Sequence, residues 1–531
     1  MSESGTEKGA IARRAGLVAA GTLTSRILGA ARDAVVAMLF PVAATDMFWM
    51  AFTIPNALRV LLGEGAVAGA FVPVFSEVRE KEGFDAAARF QSKLVAAMGL
   101  VLFVVTLLGI AFSPAFVELY AAGFHDIPGR FESTVALTRA VFPYIFLMGL
   151  ASLATGALNA VRRFAAPAFA PALLNVALIA SAFALAPAAI AFGLPGVGAL
   201  ALGALIGGAL QLLAQLPSLR AAGLLLRPRL DLRDPWVRKA FRLMLPLLMG
   251  LGVYQLNIML TRQLASFLPE GSVSYLYYGQ RLVEIPQGMF ALAIASAALP
   301  TLSTLRARGD DEKVKQVFRY GLGLSLFVAI PSAVGLASLA TPVVSVILGR
   351  GHFTPEQVEL TSQSLLWMAA GIWSVASVRT IVPMFYAYND TRTPVIGSAV
   401  NLVVFGIVAF TTMGPYKHVG LAMAVTAASI AQLCTLIGLL RQRAGRLGLK
   451  ELASSTARVL LASLLMVGVI WGSLHVLPFD GHARLTPRLI SLLVALGAGT
   501  ATYAFCAWAL KVPELRALTG AISRRLRRGR S

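Results

Sequence analysis

Apolar residues run through this chain in long blocks, separated by short polar connections. A helix needs about 20 predominantly apolar residues to cross a bilayer. Fourteen blocks meet that length: residues 15–40, 46–76, 93–113, 134–160, 166–192, 195–219, 240–267, 273–303, 317–347, 357–387, 394–413, 418–440, 453–476 and 487–510. Hydrocarbon offers backbone polar groups no water, so segments of this kind span it as internally bonded helices. The expected fold is an all-α polytopic membrane protein with 14 transmembrane helices. The connections leave no room for a separate soluble domain.

Composition agrees. Of 531 residues, 57% are hydrophobic and 13% charged, against about 25% charged in a soluble domain. The formal net charge of +21 suggests nucleic acid until the charges are located. Lys and Arg collect in alternate connections: Arg79–Lys93, Arg162–Arg163, Arg220–Lys239, Arg306–Lys315, Arg392 and Arg441–Lys450, and in the tail "SRRLRRGRS". The opposite connections hold few: Arg130, Arg350, Lys417, Arg484 and Arg488. That asymmetry orients the chain with both termini cytoplasmic, and adds attraction to anionic membrane lipids. No nucleic-acid-binding module is present, so none is expected as a partner. The two cysteines, Cys434 and Cys506, lie in apolar runs and make neither a disulfide framework nor a CxxC metal site. The polar first 14 residues and the long run after them are not a cleavable signal peptide.

The chain repeats itself. "SPAFVELYAAGF" (113–124) is similar to "TPVVSVILGRGHF" (341–353), and "ALNAVRRFAAPAFAPALLNV" (157–176) to "AYNDTRTPVIGSAVNLV" (387–403). Pro73 and Pro300 are 227 apart, Pro167 and Pro394 are 227 apart, and Asn175 and Asn401 are 226 apart. A common offset in a common order predicts two six-helix lobes, and six crossings per lobe make the repeat parallel. The expected organisation is a tail (1–14), an N-lobe (15–222), a basic linker (223–239), a C-lobe (240–441), an extra helix pair (453–510) and a basic tail (511–531). This is a transporter architecture with a cavity between lobes.

Charges inside the apolar blocks are costly. Arg26 lies about ten residues into the first helix, near 15 Å along it, where an arginine costs about 2.5–3.5 kcal/mol on insertion scales. Arg26 and Asp33 share a helix face, and Arg32 is turned about 120° away. The second block carries Asp46, Asn56, Arg59 and Glu64, with Pro55 and two glycines predicting a kink or break. In the C-lobe, "SYLYYGQRLVEIPQG" holds Arg281 and Glu284. Arg26 with Asp33, or Arg32 with Asp46, are candidate buried pairs. The surplus of arginine calls for an anion: guanidinium binds phosphate through a planar fork and never loses its charge. A cationic cavity for a phosphate-bearing substrate is the functional reading.

The segment "YAYNDTRTPV" is either a turn with an Asx cap or a cation site built from Asn389, Asp390 and Thr391. Asn175, Asn257 and Asn401 are expected to bond between helices. No metal pair of histidines, phosphate loop, GxSxG or HExxH is present. The last helix pair is either a scaffold or an apolar groove for a lipid tail.

Together, "SRILGAARDAVVAMLF", "TDMFWMAFTIPNALRVLLGEGAVAGAFVPVFSE", "GSVSYLYYGQRLVEIPQG" and "FYAYNDTRTPV" resemble the MurJ (MviN) family of bacterial lipid II flippases, from about residue 10 to 510. The resemblance implies the multidrug/oligosaccharidyl-lipid/polysaccharide exporter fold, alternating access, and transfer of the undecaprenyl-pyrophosphate-linked peptidoglycan precursor across the cytoplasmic membrane. It implies substrate-binding roles for Arg26, Arg32, Arg59 and Arg281, and charge-partner or gating roles for Asp33, Asp46, Glu64, Asn56 and Glu284. It places the lipid tail along the last two helices and allows other cell-wall synthesis proteins as partners. Gln280 and Thr261 stand where family members often carry Asp, which argues against sodium binding. No cofactor is then expected, and the membrane potential is a sufficient drive, at about 2.3 kcal/mol per charge per 100 mV. The alternatives are a flippase for another undecaprenyl-linked glycan, a cation-coupled drug exporter of the same fold, and a membrane-embedded glycan enzyme, for which only Glu118, Asp126, Glu132 and Glu270 offer outside carboxylates.

Overall fold

The computed structural model describes residues 3–61, 67–388, 390–445 and 447–516, and every regular element among them is helical. Contacts divide the chain into two compact units, Met1–Ser274 with Arg350–His352, and Tyr275–Gly349 with Phe353–Ser531. This division falls later than the linker 223–239, because the helix after the linker packs on helices of the first unit.

The first unit holds α1 (Glu3–Leu39), α2 (Val42–Leu58), α3 (Ala68–Glu82), α4 (Phe84–Ala111), α5 (Ser113–Ala121), α6 (Arg130–Val141), α7 (Pro143–Ala160), α8 (Ala165–Ala184), α9 (Ala186–Ala191), α10 (Ala199–Leu213), α11 (Leu216–Ala221) and α12 (Pro235–Ser266). α1 lies along α8, and α8 along α10, while α12 lies against α3, α4 and α5. Small residues allow the closest of these approaches. A Cβ on Gly21 of α1 would run into the Ala168 backbone of α8, whereas Gly16 faces open space.

α13 (Ser272–Ala307) starts in the first unit and continues in the second. The second unit adds α14 (Asp311–Ser338), α15 (Ala340–Ile347), α16 (Pro355–Ala370), α17 (Ile372–Ala387), α18 (Arg392–Ala444), α19 (Leu449–Val476) and α20 (Leu485–Ala509). Its main core joins Phe318, Leu322 and Phe327 of α14 to Met384 and Phe385 of α17, Leu436 and Leu440 of α18, Val459 of α19 and Ala507 of α20. α18 covers two expected crossings and is not one straight rod. Lys417 is non-helical at φ 50°, and Gly420 comes so close to Thr412 that a Cβ would lie 2.5 Å from its carbonyl oxygen. The chain reverses there, as the gap between 394–413 and 418–440 predicts.

Breaks recur at the repeat interval. α4 gives way to α5 at Phe112 (φ −93°, ψ 13°), and α14 to α15 at Leu339 (φ −103°, ψ 16°). The two residues are 227 apart, and Pro114 and Pro342 follow them. A proline supplies no N–H and crowds the preceding turn, so it belongs in the first turn of a new helix.

A charged clasp ties the linker and α12 to α3 and α4. Asp234 caps α12 by accepting from the N–H of Trp236 at 2.8 Å and of Val237 at 3.2 Å. Lys93 Nζ donates to Asp234 at 2.7 Å and Asp231 at 2.9 Å. Glu77 accepts from Lys239 at 2.5 Å and Lys81 at 2.8 Å. The Trp236 indole donates to Glu82 at 2.8 Å, with the Lys239 and Lys81 ammoniums 5.3 and 5.7 Å from its ring centre. The hydrogen bond from Lys239, then that from Lys81, holds the Glu77 carboxyl below its ordinary range.

Two outcomes are expected. Gly21→Ala destabilises the protein by about 1–3 kcal/mol, the range for overpacking, while Gly16→Ala on the same helix is neutral or slightly stabilising; thermal melts of the two variants in one detergent check this. A carboxyl with a depressed folded pKa stabilises above its unfolded pKa and stops doing so as pH falls through the folded value. Melting temperature should therefore decline on acidification below the ordinary glutamate range, and Glu77→Gln should make that decline shallower.

Candidate functional site

Nine helices among the described residues are long and apolar enough to cross a membrane, making this a multi-pass membrane protein. They cover ten of the expected crossings, with α18 holding two. The other four, 15–40, 46–76, 240–267 and 273–303, are helical in their described residues. Three of these four, 15–40, 46–76 and 273–303, carry all the candidate substrate-binding, charge-partner and gating residues.

On α1 the structure assigns Asp33 to Arg32. Arg32 donates from Nη2 and Nε to Asp33 Oδ1 at 2.6 and 3.0 Å, with both side chains buried. Helix geometry points these neighbours apart, but the long arginine side chain folds back across the gap. Asn175 of α8 completes the arrangement. Its oxygen accepts from Arg32 Nη1 at 3.1 Å, and its amide donates to the Ser25 carbonyl at 3.1 Å. Arg32 also lies 5.8 Å from the Trp49 ring centre on α2. Arg26, six residues earlier, is half-buried.

Asp46 pairs with Arg130 of α6, at 2.6 Å between fully enclosed side chains, rather than with Arg32. Its carboxylate also accepts the N–H of Gly271 at 2.7 Å and of Ser274 at 2.7 Å, the first turn of α13. A carboxylate here satisfies donors that a helix start leaves open and meets the positive end of its dipole. Arg130 itself stacks 4.1 Å from the Phe124 ring centre. The sequence reading placed Arg130 in an outside connection and gave it no role. The signal that finds it is Asp46, a carboxylate in an apolar run whose nearest sequence cations are already spoken for.

Further along α2, Arg59 Nε donates to the neutral Asn56 oxygen at 3.1 Å. Pro55 sits inside the helix, which loosens into a π-helical turn at residues 59–61; π turns mark functional positions often. Glu64 lies outside the described residues. In the second unit, Arg281 and Glu284 pair along α13 at 2.8 Å, with side chains 39% and 40% exposed.

Asp390 caps the start of α18. Asp390 accepts from the N–H of Arg392 and of Thr393, each at 3.0 Å, and from the Thr393 hydroxyl at 2.7 Å, and it pairs with Arg443 of α18. Burial opposes its charge, but these partners outweigh it and hold the carboxyl below the ordinary carboxylate range. A cation would have to displace the Arg443 guanidinium. Thr391 is exposed, and Asn389 lies outside the described residues. No group of three or more His, Cys, Asp or Glu able to hold a metal occurs among the described residues. Asn401 bonds between helix segments as expected, donating to Gln432 at 3.1 Å.

Comparison with known proteins fits this arrangement. A family model described as "Lipid II flippase MurJ" matches residues 35–485. A probable lipid II flippase MurJ of Vibrio cholerae is 35% identical over 503 residues, covering 92% of this chain and 94% of its own. Its counterpart in Haemophilus influenzae is 36% identical over 468 residues, covering 85% and 90%. A solved structure of lipid II flippase MurJ in an inward closed conformation superposes with a TM-score of 0.75 at 25% identity, covering 93% of this chain and 99% of that one. An inward-facing multidrug resistance MATE family transporter of the MOP superfamily shares the fold, with a TM-score of 0.66 at 14% identity over 80% of this chain and 95% of its own. With a family match across most of its length and relatives above one-third identity at near-complete coverage, this chain belongs to the lipid II flippase MurJ family.

Proposed function

We propose that this chain moves lipid II, the undecaprenyl-pyrophosphate-linked peptidoglycan precursor, from the inner to the outer leaflet of the bacterial cytoplasmic membrane. The names of its relatives support the substrate. The observation that carries the reading is how the arginines sort. Arg32 and Arg130 are enclosed and each is held by a carboxylate. Arg26, Arg59 and Arg281 stay partly accessible, within the long apolar blocks 15–40, 46–76 and 273–303.

The accessible arginines bind phosphate oxygens of the pyrophosphate. Their guanidinium forks suit phosphate oxygens and stay charged at any working pH. Arg32, clamped by Asp33 and Asn175, keeps α1 aligned so that Arg26 is presented to substrate. Glu284 holds Arg281 until the more highly charged phosphate displaces it. The lipid tail rides in the bilayer along α19 and α20, whose outer faces expose Leu464, Trp471, Leu493, Phe505 and Trp508. Headgroup binding neutralises the arginines and favours the switch from inward to outward access, with both termini in the cytoplasm. The membrane potential drives the cycle, since Asp390 is committed to α18 and Arg443.

Acute inactivation of the protein should leave newly made, labelled lipid II inaccessible to an enzyme added outside; continued accessibility would sink the proposal. Arg59→Gln and Arg281→Gln should accumulate in the membrane at normal levels with transport lowered about tenfold or more, the loss of a charge-assisted bond of about 1.5–3 kcal/mol. Arg130→Met should instead fail to accumulate, because removing one member of a buried pair costs about 3–5 kcal/mol. Full transport by Arg281→Gln would remove the anion role.

A further inference from the structure

The linker between α11 and α12 exposes a surface to which the proposed transport assigns no role. Leu225, Leu226, Leu230 and Leu232 are 48%, 42%, 56% and 51% exposed. Arg227, Arg229 and Arg233 are interleaved with them and exposed, and Arg220 and Arg238 flank them, also exposed. Leucines turned to solvent on a loose segment would mean little, but this segment is fixed. Ser92 Oγ donates to the Arg227 carbonyl at 2.6 Å, Arg238 Nε to the Leu232 carbonyl at 3.2 Å, and Lys93 grips Asp231 and Asp234.

The charges are sorted by the same contacts. Both acids of the segment face Lys93. The neighbouring acids Glu77 and Glu82 are engaged by Lys81, Lys239 and Trp236. Outward, the segment therefore presents arginine and leucine together. Such a surface suits a bilayer's interfacial zone, where leucine reaches the acyl chains and arginine meets phosphate.

We infer that residues 225–233 form an interfacial anchor that docks the first unit on anionic phospholipid headgroups of the leaflet at that end of the helices. Charge complementarity selects the occupant: the outward face carries three arginines and no uncommitted carboxylate. The leucines select a bilayer over a soluble polyanion. The anchor is separate from lipid II binding, and the clasp passes its position on to α3, α4 and α12. It rests on the proposed orientation only for which leaflet is meant.

The test uses the full-length chain with Cys434→Ser and Cys506→Ser, spin-labelled at Leu230→Cys. It is placed, one copy per disc, in nanodiscs of phosphatidylcholine alone or of equal parts phosphatidylcholine and phosphatidylglycerol. The label should be more accessible to oxygen than to a water-soluble nickel complex, and more so in the anionic discs. Arg227→Gln with Arg229→Gln and Arg233→Gln should erase the difference between compositions, lowering the preference for anionic discs on the order of a hundredfold. High salt should weaken it in the parent. A label that stays open to nickel in both discs overturns the anchor, and immersion that ignores composition overturns its headgroup specificity. Protection that requires an added acidic protein assigns the surface to a protein partner instead. Absence of lipid II translocation by the same full-length chain in sealed liposomes, with the label immersed as expected, would count against the proposed function and leave this inference standing.

Discussion

A carboxylate sealed away from water must be matched on every side, and Asp46 is matched by one guanidinium and two backbone N–H groups. Those three donors come from α6 and from the start of α13, so a single α2 side chain fixes where two other elements begin. Without the carboxylate, Arg130 is a buried charge lacking its counterion and the first turn of α13 loses the acceptor for two orphan donors. The Asp33–Arg32–Asn175 cluster does the same for α1 and α8. Between them, these two networks consume the buried acids of the first unit's charged helices that the structure describes. The proposal sorts the arginines by exposure: those sealed against a carboxylate serve the scaffold, and those with partly accessible side chains meet the anion.

Much of this was legible in the chain itself. Apolar blocks of membrane length show without any tertiary information, because lipid imposes the same length and polarity on every crossing. Pro55 predicted the distortion inside α2, since the ring removes a backbone donor and crowds the preceding turn, whereas 317–347 reads as one crossing and the break at Leu339 within it does not show in the sequence. Asn175 was recognisable as a bond between helices. The pairing partners were not legible. Whether Asp33 holds Arg26 or Arg32 was open in the sequence: the helix face favours Arg26, and the reach of the Arg32 side chain makes the bond. Arg130 looked like a loop cation because its sequence neighbours are turn residues, while its partner lies 84 positions away. The capping of α18 by Asp390 was one of two readings that local sequence left level, and the distant Arg443 decides what the geometry shows.

The repeat preserves places more faithfully than chemistry. Asn175 and Asn401 both donate a side-chain amide to a neighbouring helix segment, one to a carbonyl and the other to Gln432. At the connection ahead of those helices, Arg163 donates to the carbonyls of Ser218 and Ala221 at the end of α11. In the second unit, Asp390 receives Arg443 from the end of α18. The two units tie the same joint with the cation on opposite sides of it. Each solution answers exposed carbonyls or a helix start with an opposite charge, so the position survives exchange of the residues.

The last described residues give the second unit a schedule of assembly. After α20 the chain turns at Lys511 (φ 54°). Val512 then enters the core shared by α14, α17 and α18, and Glu514 accepts from the Ser455 hydroxyl at 2.6 Å. That carboxylate occupies space left open by Gly323, where a Cβ would lie 2.6 Å from its oxygen. The glycine on α14 is translated 191 residues before the acid that needs it. Through most of synthesis, α14 must sit in the membrane with one wall of its core missing. A chain cut between α20 and Val512 would leave every crossing inserted and the second unit's core still open.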